Sequence, residues 1–169
     1  MLARAGAGLD ERRGRMSQDK RAAVAAMWDE AWTTGLWAAA WSKSVDGLTP
    51  EQAAWQPASA PGVEGTRHSI WQNVEHVIYW RENWLGRLDG ARSTPEQDAA
   101  GNFPVIRDTS QTAWDDARRR FRETHERIGA ALRERGPEAD PLMHFLPHDA
   151  YHIGQINQIR AMQGLKPIE

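Results

Sequence analysis

The 169-residue sequence contains no cysteine. That excludes disulfides, thiolate metal ligands and a cysteine nucleophile together, and it fits a cytoplasmic setting. No apolar run approaches the roughly 20 residues of a membrane-spanning helix, and residues 1–16 lack the apolar centre of a secretory signal. An excess of charge is missing too. Lys and Arg number 21 against 23 Asp and Glu, a net charge of −2, so there is no overall cationic field to hold nucleic acid or an anionic membrane. Strand alternation and internal repeats are also absent, which leaves helical periodicity as the organising pattern.

Residues 1–16, with arginines among glycines, read as a flexible tail, and Met16 is a candidate start. Residues 17–169 read as a single all-α domain of four long segments. The first is expected from about Gln18 to Asp46, with Val24, Trp28, Ala31, Trp32, Gly35, Ala39 and Ser42 on one stripe and Trp37 and Trp41 opposite. Two apolar faces fit either a second subunit or a loop folded over the tryptophans. Thr49 and Pro50 start a short helical turn as N-cap and first residue. Ser69 and Gln72 form a capping box for the second long helix, which runs to about Asp89 with Ile70, Val74, Val77, Trp80 and Arg81 on its inward stripe. A stretch of roughly 20 residues rich in Gly, Pro, Ser and Asp follows, long enough to let helices two and three run parallel through a crossover. Asp108 and Gln111 read as a further capping box. Trp114, Ala117, Phe121, Thr124, Ile128 and Ala131 give the third helix its core face. Its mixed-charge face reads as solvated, with His125 at the surface. Asp140 and Pro141 start the fourth helix; Pro147 either bends it or marks a later start.

The chemistry lies in the histidines. His148 and His152 are four residues apart, about 40° around a helix and roughly 6 Å along it, so both imidazoles leave one face. Phe145, Ile156, Ile159 and Met162 make that face apolar, so the histidines point inward, where an unpaired imidazole costs about 1–3 kcal/mol. A divalent ion supplies a shared partner, and His76, on the edge of the second helix's stripe, is the natural third ligand. His144 continues the four-residue ladder but lies roughly 12 Å along the axis from His152, too far to share the ion, and reads as lying behind the ligands or facing solvent. His68 could approach only from the rim. Gln155 and Gln72 sit one helical turn from His152 and His76, where each could orient an imidazole or a bound water. Trp80, Trp84 and Tyr151 are core aromatics with a pocket-lining alternative.

These residues carry a family resemblance. An amphipathic first helix, Leu48, Thr49, Pro50 and Glu51 leading to Trp55 and Pro57, then Ser69 to His76, and above all His148, Tyr151, His152, Ile153, Gly154, Gln155 and Ile156, resemble the DinB and YfiT superfamily over about Met16 to Leu165. The resemblance implies a four-helix bundle with a long crossover between helices two and three, often dimeric, in which His76, His148 and His152 hold one divalent ion (zinc, nickel, manganese or iron) with water completing the shell. It also implies either a metal-dependent transferase that moves a low-molecular-weight thiol of the bacillithiol or mycothiol type onto a small-molecule electrophile, or a related hydrolase. An ion held by three neutral imidazoles keeps its full charge and lowers the pKa of a bound water or thiol. Of the nearby carboxylates, Asp149 is the candidate base. The alternative is a non-enzymatic metal-binding bundle of the stress response acting through dimerisation. No nucleic-acid or membrane partner is expected.

Overall fold

The computed structural model describes residues 2–168 apart from 60, 63, 64 and 66, with the side chains of the first helix described from Gly14 onward. Among these residues there is no strand. The helices are α1 (Leu2–Thr33), α2 (Trp41–Ser44), α3 (Pro50–Ala54), α4 (Ile70–Leu88), α5 (Pro95–Gly101), α6 (Gln111–Glu134) and α7 (Phe145–Met162), with a 3-10 helix, Pro137–His144, leading into α7. The expected tail at residues 1–16 falls for the most part outside the described side chains.

Contacts along the helices fix their directions. Trp71 packs on Trp114, Glu75 pairs with Arg120, Arg81 donates to Phe121 O, and Asp89 pairs with Arg135. Both numbers rise together, so α4 and α6 run the same way. The pairs Asn73 with His152 and Arg81 with Asp149 set α7 against α4 in the opposite sense. Asp29 with Arg133 and Trp32 with Phe121 set α1 against α6 likewise, and Arg21 pairs with Asp140 of the 3-10 helix. Between these four helices lie Trp28, Ile70, Val74, Val77, Trp114, Phe121, Ile128, Leu142 and Ile156, all fully buried.

The long connection is seated on α4. Thr94 and Gln97 form a capping box that starts α5, and Asp98 accepts from Tyr79 Oη at 2.6 Å and Asn83 Nδ2 at 3.1 Å. Gly101 is required there, because a Cβ would fall 2.2 Å from the Tyr79 ring. The capping boxes at Thr49/Gln52 and Ser69/Gln72 both form.

Several expectations are corrected. The first helix does not continue to Asp46. It ends at Thr33, where Glu30 O accepts from the N–H groups of both Thr34 and Gly35. Gly35 adopts φ +82°, and a Cβ there would lie 1.9 Å from Ala38 O. The turn buries Trp41 and leaves Trp37 fully exposed. Helix α6 is capped by Ser110, not Asp108; Asp108 instead accepts from Ser110 N. His125 is not at the surface: it is 4% exposed and stacks on Trp28 and Trp32 with ring centroids 4.6 and 4.5 Å away. Asp140 and Pro141 lie inside the 3-10 helix and do not open the fourth helix; Pro147 is the third residue of α7, where no backbone N–H is needed, so the later start accounts for it.

Candidate metal centre

Helix α4 supplies His76 and α7 supplies His148 and His152, and one ligand nitrogen from each lies within 4.8 Å of the other two. The Nε2 atoms of His76 and His148 are 3.3 Å apart. The opposite ring nitrogen of each histidine has an oxygen partner: His76 Nδ1 meets Asn102 Oδ1 at 2.8 Å, His148 Nδ1 meets Asp149 Oδ1 at 2.7 Å, and His152 Nδ1 meets Asn73 Oδ1 at 3.2 Å.

These partners fix the tautomers. Asn102 Oδ1 also accepts from Trp80 Nε1 at 3.3 Å, and an indole nitrogen only donates, so this atom is an oxygen and His76 must offer it Nδ1–H. Asn73 Nδ2 donates to Ser69 O at 2.8 Å, which leaves its oxygen for His152 Nδ1–H. A carboxylate only accepts, so His148 also carries its proton on Nδ1. All three Nε2 atoms therefore carry lone pairs when the rings are neutral, and those of His76 and His148 face each other.

For His76 and His152 neutrality follows from the surroundings. Burial lowers the pKa of His76 to about 4, with His152 and His148 adding to the shift, and burial followed by His148 lowers that of His152 to about 4. Convergent lone pairs with no proton between them repel, and a cation relieves that repulsion. The 3.3 Å spacing is the separation of two nitrogens sharing an ion at bonds of about 2.0–2.1 Å and a tetrahedral angle. The donor set thus fits one divalent ion, and the hydrogen-bonded Nδ1–H groups are the usual support for imidazole ligands.

A family model described as the DinB superfamily matches residues 33–156. The chain belongs to the DinB superfamily. No curated protein and no solved structure matches it.

Around the triad, this DinB chain arranges the remaining candidates unevenly. Asp149 is fully buried, with Oδ1 on His148 and Oδ2 accepting from Arg81 Nε at 2.7 Å. Gln72 is absorbed by its cap: its side-chain oxygen accepts from Ser69 N, and its amide donates to Pro104 O. Gln155 donates to Tyr151 Oη at 3.1 Å and helps to hold the His152 pKa up. His144 is exposed. His68 stacks on Phe103 at 3.8 Å, and Phe103 stacks on His76 at 4.0 Å, so His68 stands outside the ligands with Phe103 between. Phe103 lies over the centre at φ +54°.

Asn73, Asn102, Phe103 and Arg81 are the site residues that sequence reasoning did not assign. Asn73 had a signal: it lies three residues before His76, on the same side of α4. Asn102 and Phe103 had none, because only the seat of α5 on Tyr79 brings them to His76.

Two clefts adjoin the centre. One, of about 790 Å³, is lined by Asn73, His68, Arg67, Tyr151, Gln155 and Gln158 among others. The second, of about 410 Å³, is lined by Trp80, Trp84, Pro141, His144, Phe145 and His148.

Proposed function

We propose that the protein is a metal-dependent transferase that moves a low-molecular-weight thiol onto a small electrophile, with the related hydrolase as the variant of the same chemistry. The observation that carries this reading is the convergence of three imidazoles, one ligand nitrogen of each within 4.8 Å of the other two, with an oxygen on the Nδ1 of every ring. In this reading α1, α4, α6 and α7 form a four-helix bundle, and the segment between α4 and α6 is its crossover. His76, His148 and His152 would hold the ion. When bound, it supplies positive charge that favours loss of a thiol or water proton near neutral pH.

The chain's own groups do the rest. Asn102, Asp149 and Asn73 hold the imidazoles in one tautomer. Phe103 shields His76 from water. Asp149 has both oxygens engaged, by His148 and Arg81, which favours an orienting role over that of a base. The thiol proton then passes to solvent, the sulfur bonds to the electrophilic carbon, and the leaving group departs with its electron pair. The larger cleft, with Arg67 and two glutamines, suits the polar thiol.

A thiol and an electrophile, assayed on metal-stripped protein and after addition of zinc, nickel or manganese, test the reading. Metal-dependent turnover that disappears in His148→Ala supports it. A metal-dependent rise in melting temperature without turnover supports the second reading instead, a non-enzymatic bundle acting through association as a homodimer in the cytoplasm. The full exposure of Trp37 at the tip of the loop after α1 favours that reading.

A further inference from the structure

Of the three ligand histidines, only His148 lines either cleft beside the centre, and the one it lines is the smaller. Its side chain is 33% exposed, whereas His76 and His152 are buried. A reactant approaching the ligands from this side therefore meets the walls of that cleft first. The walls are two indoles one helical turn apart on α4, a proline and a buried phenylalanine. His144 is the only titratable side chain lining it besides His148.

The walls are held in place before anything binds. Trp80 donates its Nε1–H to Asn102 Oδ1. The Arg87 guanidinium lies 4.8 Å from the Trp84 ring centroid. Phe145 meets the His148 ring edge-on, with centroids 5.7 Å apart. Rings fixed in this way present flat apolar faces at little further cost in ordering. The volume of about 410 Å³ lies within the range of small-molecule sites. A charged or hydroxyl-rich ligand would leave polar groups unpaired against indole and phenyl walls, so this lining discriminates against one.

We propose that the Trp80–Trp84 cleft binds the uncharged aromatic part of the electrophilic substrate, seating its reacting carbon beside His148. The assignment rests on the transferase reading above and names its substrate class. The probe is 4-nitrobenzyl alcohol, an unreactive analogue of a benzylic electrophile, titrated by calorimetry into the metal-stripped full-length protein. Saturable one-to-one binding is expected. Trp84→Ala should weaken it about tenfold or more, and Trp84→Phe should restore most of the loss, since a ring face is what is removed and replaced. Gln158→Ala, in the other cleft, should leave it within about twofold, as a change with no contact should. His144→Glu, at an exposed position, should weaken it by bringing a charge to the apolar cleft, and it keeps the test decisive if Trp84→Ala fails to fold. Absence of saturable binding, or equal weakening by Gln158→Ala and Trp84→Ala, would overturn the assignment. The probe needs neither metal nor thiol. Its failure therefore overturns the cleft and not the function, whereas failure of thiol transfer with probe binding intact overturns the function and leaves the cleft as an aromatic-binding site.

Discussion

Replacing Asp149 by Asn tests how the centre is supported. Asp149 and Arg81 are both 0% exposed at their side chains and meet at 2.7 Å. Arg81 also donates to Phe121 O at 2.8 Å and lies over the Phe121 and Trp28 rings. The substitution keeps the shape and an acceptor for His148 Nδ1, but it strands the guanidinium as an unpaired charge in the core. Removing one partner of such a pair costs about 3–5 kcal/mol. At about 2–4 °C per kcal/mol for a chain of this size, that is a fall in Tm of roughly 6–20 °C. Adding Arg81→Met to Asp149→Asn removes the stranded charge, so the double variant should melt above the single one. Thermal melts of metal-stripped protein read the effect without interference from metal. A single variant within about 2 °C of the wild type, or a double variant melting below the single, would refute the argument that a charged buried pair holds His148 in place.

Other outcomes follow from the same contacts. Asn73→Ala and Asn102→Ala should each weaken metal binding about 10–100-fold, as loss of an imidazole's supporting partner generally does, and competition against a chelator reads this directly. Burial, with Arg81 and Arg133 adding to it, lowers the His125 pKa to about 2, against about 6.5 in the unfolded chain. Its stabilising contribution is therefore complete above about pH 6.5 and declines as pH falls toward the folded value, by about 2 kcal/mol at pH 5. Urea unfolding at pH 7 and pH 5 should show a smaller pH dependence in His125→Phe than in the wild type, and equal dependence would contradict the burial argument. Gly35→Ala should destabilise the chain by about 1–3 kcal/mol, because a left-handed residue and a Cβ blocked by Ala38 O are both imposed. A Tm equal to that of the wild type would count against it.

The spacing of His148 and His152 on an apolar face and the family order of His76 before them were enough to read the triad from the sequence. The all-helical class was legible from periodicity and capping residues, because these are local signals. His125 was misread because charged neighbours at 122, 123 and 126 dominated the pattern. Its place four residues after Phe121 and three before Ile128 was the better guide, since that spacing belongs to the buried stripe. The first helix was drawn too long because Gly35 was counted as a small stripe residue, when the pair Thr34-Gly35 serves to stop the helix. An ideal helix turns Asp149 about 100° away from His148, yet its carboxylate reaches back to Nδ1 at 2.7 Å. The support from Asn102 could not be read locally. It depends on Gly101 closing against Tyr79 and on Asp98 pairing with Asn83, contacts between successive helices that no periodicity within either one announces.

The most direct measurement is metal stoichiometry in the metal-stripped protein beside a variant carrying His76→Ala, His148→Ala and His152→Ala, titrated with zinc or cobalt and read by elemental analysis and the cobalt absorption spectrum. The account predicts one equivalent bound by the wild type, a cobalt spectrum of nitrogen ligation, and no binding by the triple variant. Equal metal content in the two proteins, or no metal bound by the folded wild type, would contradict it.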